Sequence, residues 1–587
     1  LLILSLWVLP VYSARKQILD VSVGDSTDYL LESVNLSLDA PQPEVTVVDV
    51  PIEVAAEFEV PQMEFVLPDA KAETSMASFV PTKLADGALA TTSSVESAVD
   101  RITAELNSKL AKDDLLVVWL LDSSNSLVDD RKRVAARLTP FYEGIVAGSG
   151  RHELRSAVVS FGDKMRERVS PTEFGQKIIS AVDDLPVDRT GNEKIFDAVA
   201  KCAAHYRSEW DKQLTFVIWT DESGDDVRYL EDTIETCRQQ SVSVSVVGPS
   251  SVLGADTGLH SYTDPKSGSV YQLPVRRGPD TAMPERLELG YWYRTGWGRG
   301  RRGGMPSWVG GQDLEGILTS FSPYALTRLA MQTGGSYTIF DRREDRGPFD
   351  LNEMMKYAPS YASIDDYRQE TNSHPLRVAV MRAVNVLDGK RVDAPDLMLF
   401  TKKTGPRVFD FMRYYYAPAE FRAKLSSSKR RLTGQVNRYS RLIETALKHV
   451  SENENPLDSL EDLYRYETSP RWKAWYDLTR GRLLATSVRL EEYRLTLDHI
   501  TKPGVLAGST NYVSFVDSSE FRSGSEYQAR LQESIDLLRR CVRENAGTPW
   551  ETLAQRELDF DVGVGYRERA LTLENGPATR TPNLPRF

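Results

Sequence analysis

The sequence predicts an α/β protein: an open, mostly parallel sheet with helices on both faces, a mainly α-helical region after it and an acidic, extended stalk before it. Three observations carry this reading. Apolar runs at 115–121, 155–161, 214–220 and 242–247 alternate with stretches of helical periodicity, as strands buried on both faces alternate with their crossover helices. Past residue 342 the short runs give way to long amphipathic stretches at 418–450, 457–500 and 525–558, the spacing of packed helices. Ahead of the first run the chain is acidic and broken by prolines.

In chain order, Leu1 to Val11 are almost wholly apolar and are followed by Arg15 and Lys16. The run is shorter than the roughly 20 residues that span a bilayer. Residues 1–14 read as a hydrophobic anchor or signal remnant, with Val11-Tyr12-Ser13 a passable cleavage site. The expectation is a membrane-anchored chain with an extracytoplasmic body. Residues 15–111 read as a linker or stalk. Pro41, Pro43, Pro51, Pro61, Pro68 and Pro81 interrupt its strand-like stretches. Between Asp20 and Asp100 stand sixteen acidic residues and two basic ones, Lys71 and Lys83, and like charges extend a chain. Residues 93–110 have the pattern of a short helix leading into the next domain.

Residues 112–341 form the predicted α/β domain. The run from Leu115 to Leu121 leads into a helix marked by Val134, Leu138, Phe141, Tyr142 and Ile145, with Pro140 a candidate kink. Helices are expected near 172–184, 193–208 and 227–240, each before or after a buried run. Residues 250–320 interrupt the alternation and include the basic, glycine-rich stretch from Gly296 to Gly304; they read as an insertion. The pattern resumes with a helix over 323–331, a stop at Gly334-Gly335 and a closing strand at 336–340. Residues 342–570 are mainly helical, with Trp472, Trp475, Tyr476 and Leu483 expected between helices, and 571–587 form a Pro- and Thr-rich tail.

Composition excludes some functions. The 587 residues carry a net charge of -12, which argues against general nucleic-acid binding because phosphate contacts need basic surface. Three cysteines, Cys202, Cys237 and Cys541, give no disulfide framework; the first two fall in predicted helices as small buried thiols. There is no H-E-x-x-H, no phosphate-binding G-x-x-x-x-G-K-[ST] loop and no G-x-S-x-G elbow.

One constellation carries chemistry. The first buried run ends in Asp122-Ser-Ser-Asn-Ser126, a D-x-S-x-S where a parallel strand meets a helix. Ligands of open α/β sheets bind at the carboxyl ends of strands, and carboxylate and hydroxyl oxygens suit a hard cation. Read alone, the motif is equally a polar helix cap. Thr190-Gly191 before the 193–208 helix and Thr220-Asp221 at the end of the third run fall on the same edge. Glu222, Asp225 and Asp226 follow and read as a solvated loop and helix start.

Together Asp122-x-Ser124-x-Ser126, Thr190-Gly191 and Thr220-Asp221 resemble, in the family's order, the metal-ion-dependent adhesion site of von Willebrand factor type A (vWA) domains. Phe161-Gly-Asp163 and the stretch from Leu329 to Tyr337 are similar to the same family. The resemblance covers about 112–341 and extends to large membrane-anchored bacterial vWA proteins. It implies a Rossmann-like fold and a Mg²⁺ or Mn²⁺ ion held by Ser124 and Ser126, by Thr190 directly or through water, and by Asp122 and Asp221. It also implies an open coordination position for a Glu or Asp of a protein partner. The expected function is metal-dependent protein binding without catalysis. The alternatives are an accessory subunit of a separate ATPase or metal-insertion complex and, last, a metal-assisted hydrolase.

Overall fold

The computed structural model describes residues 89–92, 94–147, 152–254, 257–263, 270–287, 289, 292–294, 306–308, 317–340, 349–387, 418–452, 459–559 and 561–570. The sequence readings for 1–14, for most of the stalk, for Gly296–Gly304 and for 571–587 lie outside these residues.

A seven-stranded sheet forms the centre of the first domain. Its strands are β1 (Leu89–Thr92), β2 (Leu115–Asp122), β3 (Leu154–Phe161), β4 (Arg166–Thr172), β5 (Gln213–Trp219), β6 (Val242–Gly248) and β11 (Tyr337–Phe340), in the order β1-β11-β6-β5-β2-β3-β4. All neighbours are parallel except β4, which runs antiparallel to β3 at one edge. Side chains alternate between faces along each strand. Leu116, Val118 and Leu120 of β2 therefore join the core under α4 (Ile195–Glu209), α5 (Leu230–Gln239) and α6 (Tyr324–Gln332). Leu115, Val117, Trp119 and Leu121 join the opposite core under α1 (Val95–Leu110), α2 (Val128–Ala147) and α3 (Gly175–Asp183). Two buried faces explain why these strands lack an alternating pattern. Pro140 lies inside α2, which runs unbroken through it.

The stalk reading needs a correction. β1 pairs in parallel with β11, and α1 packs Val95, Ala98, Val99, Ile102 and Leu106 into the sheet's core. The domain therefore begins by Leu89, not at residue 112. The acids of α1 misled: Glu96 and Asp100 lie on its outer face and pair with Arg133 at 2.8 Å and Arg137 at 2.7 Å of α2. β4 was also missed, because Arg-Glu-Arg-Val-Ser-Pro-Thr is half-exposed and polar, and its Pro171 fits an edge strand.

Residues 250–320 include two short antiparallel pairs, β7 (Thr257–Thr263) with β8 (Val270–Arg276) and β9 (Trp292–Arg294) with β10 (Pro306–Trp308). This segment is more than an insertion in one domain. Leu253, Met283, Leu287, Leu289, Ile317 and Phe321 belong to the core of the helical region. That region contains α7 (Ile364–Asn372), α8 (Pro375–Leu387), α9 (Pro418–Ser451), α10 (Leu460–Tyr466), α11 (Pro470–Ile500), α12 (Ser525–Glu544) and α13 (Pro549–Leu558). α11 is buried around almost its whole circumference. An antiparallel pair, β12 (Tyr512–Ser518) with β13 (Gly563–Arg569), joined through α12 and α13, adds Val513, Phe515 and Val564 to the same core.

Candidate metal centre

β2 sits where the sheet reverses direction: the chain passes from β2 outward to β3, then returns to β5 on the other side. Such a switch point opens a crevice at the carboxyl ends of the strands. Three loops converge there, at 122–126 after β2, 188–194 before α4 and 220–226 after β5.

Asp122 closes β2 and is buried. Its Oδ1 accepts from the Ser124 N–H at 2.7 Å and its Oδ2 from the Thr220 hydroxyl at 2.7 Å. The Ser124 and Ser126 hydroxyls lie 2.9 Å apart, and Ser126 Oγ donates to Asp221 Oδ1 at 3.0 Å. Four of the five predicted ligands are thus brought together by direct contacts. The fifth, Thr190, is exposed at the rim, its N–H donating to Asp188 Oδ1 at 2.8 Å. Asp188 fastens that rim to the crevice: its N–H donates to Ser123 O at 2.8 Å and its Oδ2 accepts from Asp163 N at 3.1 Å. Gly162 permits this closeness, since a Cβ there would stand 2.5 Å from Asp188 Oδ2 and 2.9 Å from Ser123 Oγ. Buried Arg131 on α2 supports the floor, donating to the carbonyls of Asp122 at 2.8 Å and Ser124 at 2.9 Å.

The acids after Asp221 correct a second expectation. Glu222 is only 2% exposed and Asp226 6%, so neither is a solvated loop residue. Asp226 caps α4, accepting from Phe196 N at 3.2 Å and Asp197 N at 2.8 Å. Glu222 lies near Glu193, itself only 3% exposed, so that the charge of each acts on the other. Burial, and after it the charge of Asp221, pushes the Asp122 carboxyl up to about 7. Burial, then the charges of Asp122 and Asp225, pushes Glu193 up to about 9. Burial, then Glu193, holds Glu222 well above the usual carboxylate range. The sequence contains both glutamates, but their burial depends on the loop at 220–226 folding back, so local spacing gave no signal for them.

Aligned carboxylates and hydroxyls around one buried crevice form an oxygen donor set that fits a hard divalent cation, and raised carboxyl pKa values mark a site short of positive charge. A different acidic group lies at the opposite end of β2, where Asp113, Asp114 and His152 bring ligand atoms within 4.8 Å of one another. All three are half-buried, and Asp114 Oδ1 already accepts from Glu153 N at 2.8 Å.

Residues 117–273 match the family model for the von Willebrand factor type A domain. The chain carries a vWA domain. The fold bears this out, with a mostly parallel sheet flanked by helices and a helical region after it. Solved structures similar to parts of the chain include the SpRpn10 VWA domain, at 18% identity over 23% of this chain and 74% of that one, with a TM-score of 0.19. The conserved hypothetical protein BatB from Bacteroides thetaiotaomicron is 12% identical over 39% of this chain and 92% of that one, with a TM-score of 0.23. Proximal thread matrix protein 1 from the mussel byssus, in a structure with a zinc-occupied MIDAS motif, is 16% identical over 24% of this chain and 37% of that one, with a TM-score of 0.20. No curated protein matches the chain. Among the described residues, no helix is long and apolar enough to cross a membrane.

Proposed function

We propose that this chain is a metal-dependent protein-binding module that grips an acidic residue of a partner through Mg²⁺ or Mn²⁺ held at the vWA crevice, and that it does so without catalysis. The observation that supports this best is the joined set Asp122, Ser124, Ser126 and Asp221 at the sheet's switch point. The two serines would touch the ion, Asp122 and Asp221 would hold it directly or through water, and Thr190 at the rim would close over it. Neutral hydroxyl ligands leave the ion electrophilic, so it attracts an incoming carboxylate strongly. Mg²⁺ keeps waters that a partner can displace. Attachment to a membrane through residues 1–14, with the body extracytoplasmic, is part of the proposal and rests on the apolar N-terminal run.

The test is capture of a protein from native lysate by the immobilised chain, with Mg²⁺, with EDTA, and with a Ser124→Ala, Ser126→Ala bait. A protein retained by the intact bait in Mg²⁺, lost in EDTA and reduced at least about tenfold with the variant supports the proposal. Equal capture in all three arms overturns it and moves attention to the helical region.

A further inference from the structure

Far from the metal crevice, the outer face of α9 carries a row of unmatched cations. One side of this helix is apolar: Leu432, Val436, Tyr439, Ile443, Leu447 and Val450 lie in the core of the helical region. On the other side Arg430, Arg438, Arg441 and Lys448 are all exposed. Their spacing of eight, three and seven residues keeps them on one stripe, about 27 Å long at a rise of about 1.5 Å per residue. Among the described residues none of the four side chains has an ion pair or a hydrogen bond. Their neighbours are matched. Lys429 pairs with Asp498 at 2.8 Å, Arg494 with Glu491 at 2.6 Å and Arg540 with Asp477 at 2.6 Å. Exposed Glu444, which borders the stripe, is taken by Arg530.

Lys448 suits the carboxyl end of the helix dipole, but the three arginines lie too far from either end to gain from it. Arg438 and Arg441, one turn apart, repel each other. Solvent alone can screen such a row, yet this chain also carries its counter-charge. Residues 20–88 hold fourteen acids and two bases, a surplus of twelve that equals the net charge of the whole chain. Glu96 and Asp100, the next two acids, are already taken by Arg133 and Arg137. The acidic segment joins the folded body at Leu89. About 25 extended residues reach about 80 Å, more than the width of a compact body of about 500 residues, about 60 Å. Covalent attachment gives the segment an effective concentration that a free acidic chain lacks. No large apolar side chain is exposed along the stripe, so it lacks the wedge with which amphipathic helices enter a membrane.

We propose that the acidic segment 20–88 docks on this chain's own α9, its carboxylates pairing with Arg430, Arg438, Arg441 and Lys448. A guanidinium offers two parallel N–H groups to one carboxylate. Several exposed pairs along a stripe hold the segment in place of a fixed pocket, so the contact loosens as salt rises. The docking needs no ion in the metal crevice and stands or falls separately from the adhesion reading.

The test is zero-length carbodiimide crosslinking of the full chain, an equal mixture of ¹⁵N-labelled and unlabelled protein, read by mass spectrometry. The expected result at low salt is an amide between Lys448 and carboxylates of 20–88, with both peptides of each link carrying the same isotope. The links fall at least about fivefold in about 0.5 M NaCl, and likewise in the triple variant Arg430→Gln, Arg438→Gln, Arg441→Gln. The triple variant with Lys at the same three positions keeps them. In every variant Lys448 stays open to an acetylating reagent. Absence of these links from the wild-type chain at low salt overturns the proposal, and so does their persistence in the glutamine variant. Links of mixed isotope overturn docking within one chain and point to a second copy. Sedimentation with phosphatidylglycerol vesicles that depends on the three arginines, without Lys448 links, also overturns it and assigns the stripe to a membrane surface. The salt series is run on the wild-type chain, so a misfolded variant cannot obscure the outcome.

Discussion

At the scale of single residues, the crevice holds carboxyl groups that are strained when ionised without a metal. Asp122 is pushed up to about 7 and Glu193 to about 9, both by burial first. A carboxyl whose folded pKa lies above its unfolded value keeps a proton in the native state that the unfolded chain has released. Its contribution is favourable below the unfolded value and is lost as pH rises through the folded one. In EDTA the urea midpoint should therefore fall between about pH 5 and 8, and Asp122→Asn should flatten that fall. Added Mn²⁺ replaces the protons, so its stabilising increment should grow with pH. A wild-type slope in EDTA no different from that of Asp122→Asn would contradict the assignment. Of the site, Asp122, Ser124, Ser126, Thr190 and Asp221 were legible because each stands at the end of a run or in a loop with recognisable spacing. Glu193 and Glu222 were not, because nothing local distinguishes a carboxylate that a neighbouring loop will bury.

At the scale of elements, the strands of the sheet were easy to read and the edges were not. A strand covered on both faces must be apolar throughout, and Leu115–Leu121 shows it. An edge strand has no such requirement, and so β1 and β4 carry no continuous apolar run. The helices are tied to the sheet by contacts at long sequence range. On α2, Tyr142 accepts from the Trp119 indole N–H of β2 at 3.0 Å and donates to Ser156 of β3 at 2.9 Å. All three residues are buried. Tyr142→Phe would strand the indole N–H and should lower stability by about 1–3 kcal/mol in urea unfolding. Its Mn²⁺ affinity should stay within about twofold of wild type, because the contact lies away from the carboxyl ends of the strands. A loss of metal binding with unchanged stability would show that α2 positions the site through this tyrosine.

At the scale of the whole molecule, the vWA domain and the helical region are joined by buried charge. Arg471 of α11 donates to Glu285 at 2.7 Å and to Asp280 at 2.9 Å, while the Trp475 indole and the Tyr367 hydroxyl donate to Glu285 at 2.7 and 2.5 Å. Arg482 reaches the carbonyl of Leu289 at 3.0 Å. The same segment touches the metal crevice at its other end, where Ser223 N donates to Arg276 O at 2.8 Å and a Cβ on Gly278, at φ +70°, would stand 2.7 Å from Ser223 Cβ. Removing one member of a buried ion cluster leaves the others uncompensated, at about 3–5 kcal/mol. Arg471→Met should therefore destabilise the chain by that amount in urea unfolding. A change under about 1 kcal/mol would mean that the junction is held by apolar packing instead.

The sequence by itself determined the α/β class, the order of the buried strands, the helical character of the later region and the residues of the adhesion-site motif. All of these follow from local periodicity and from residue types at the ends of strands. Only the tertiary structure decided where the domain begins, that residues 253–321 enter the helical core, and that Glu193 and Glu222 meet under the crevice. Those outcomes depend on which surfaces come together across hundreds of residues, and a polar side chain reads the same in sequence whether it will face water or a buried partner.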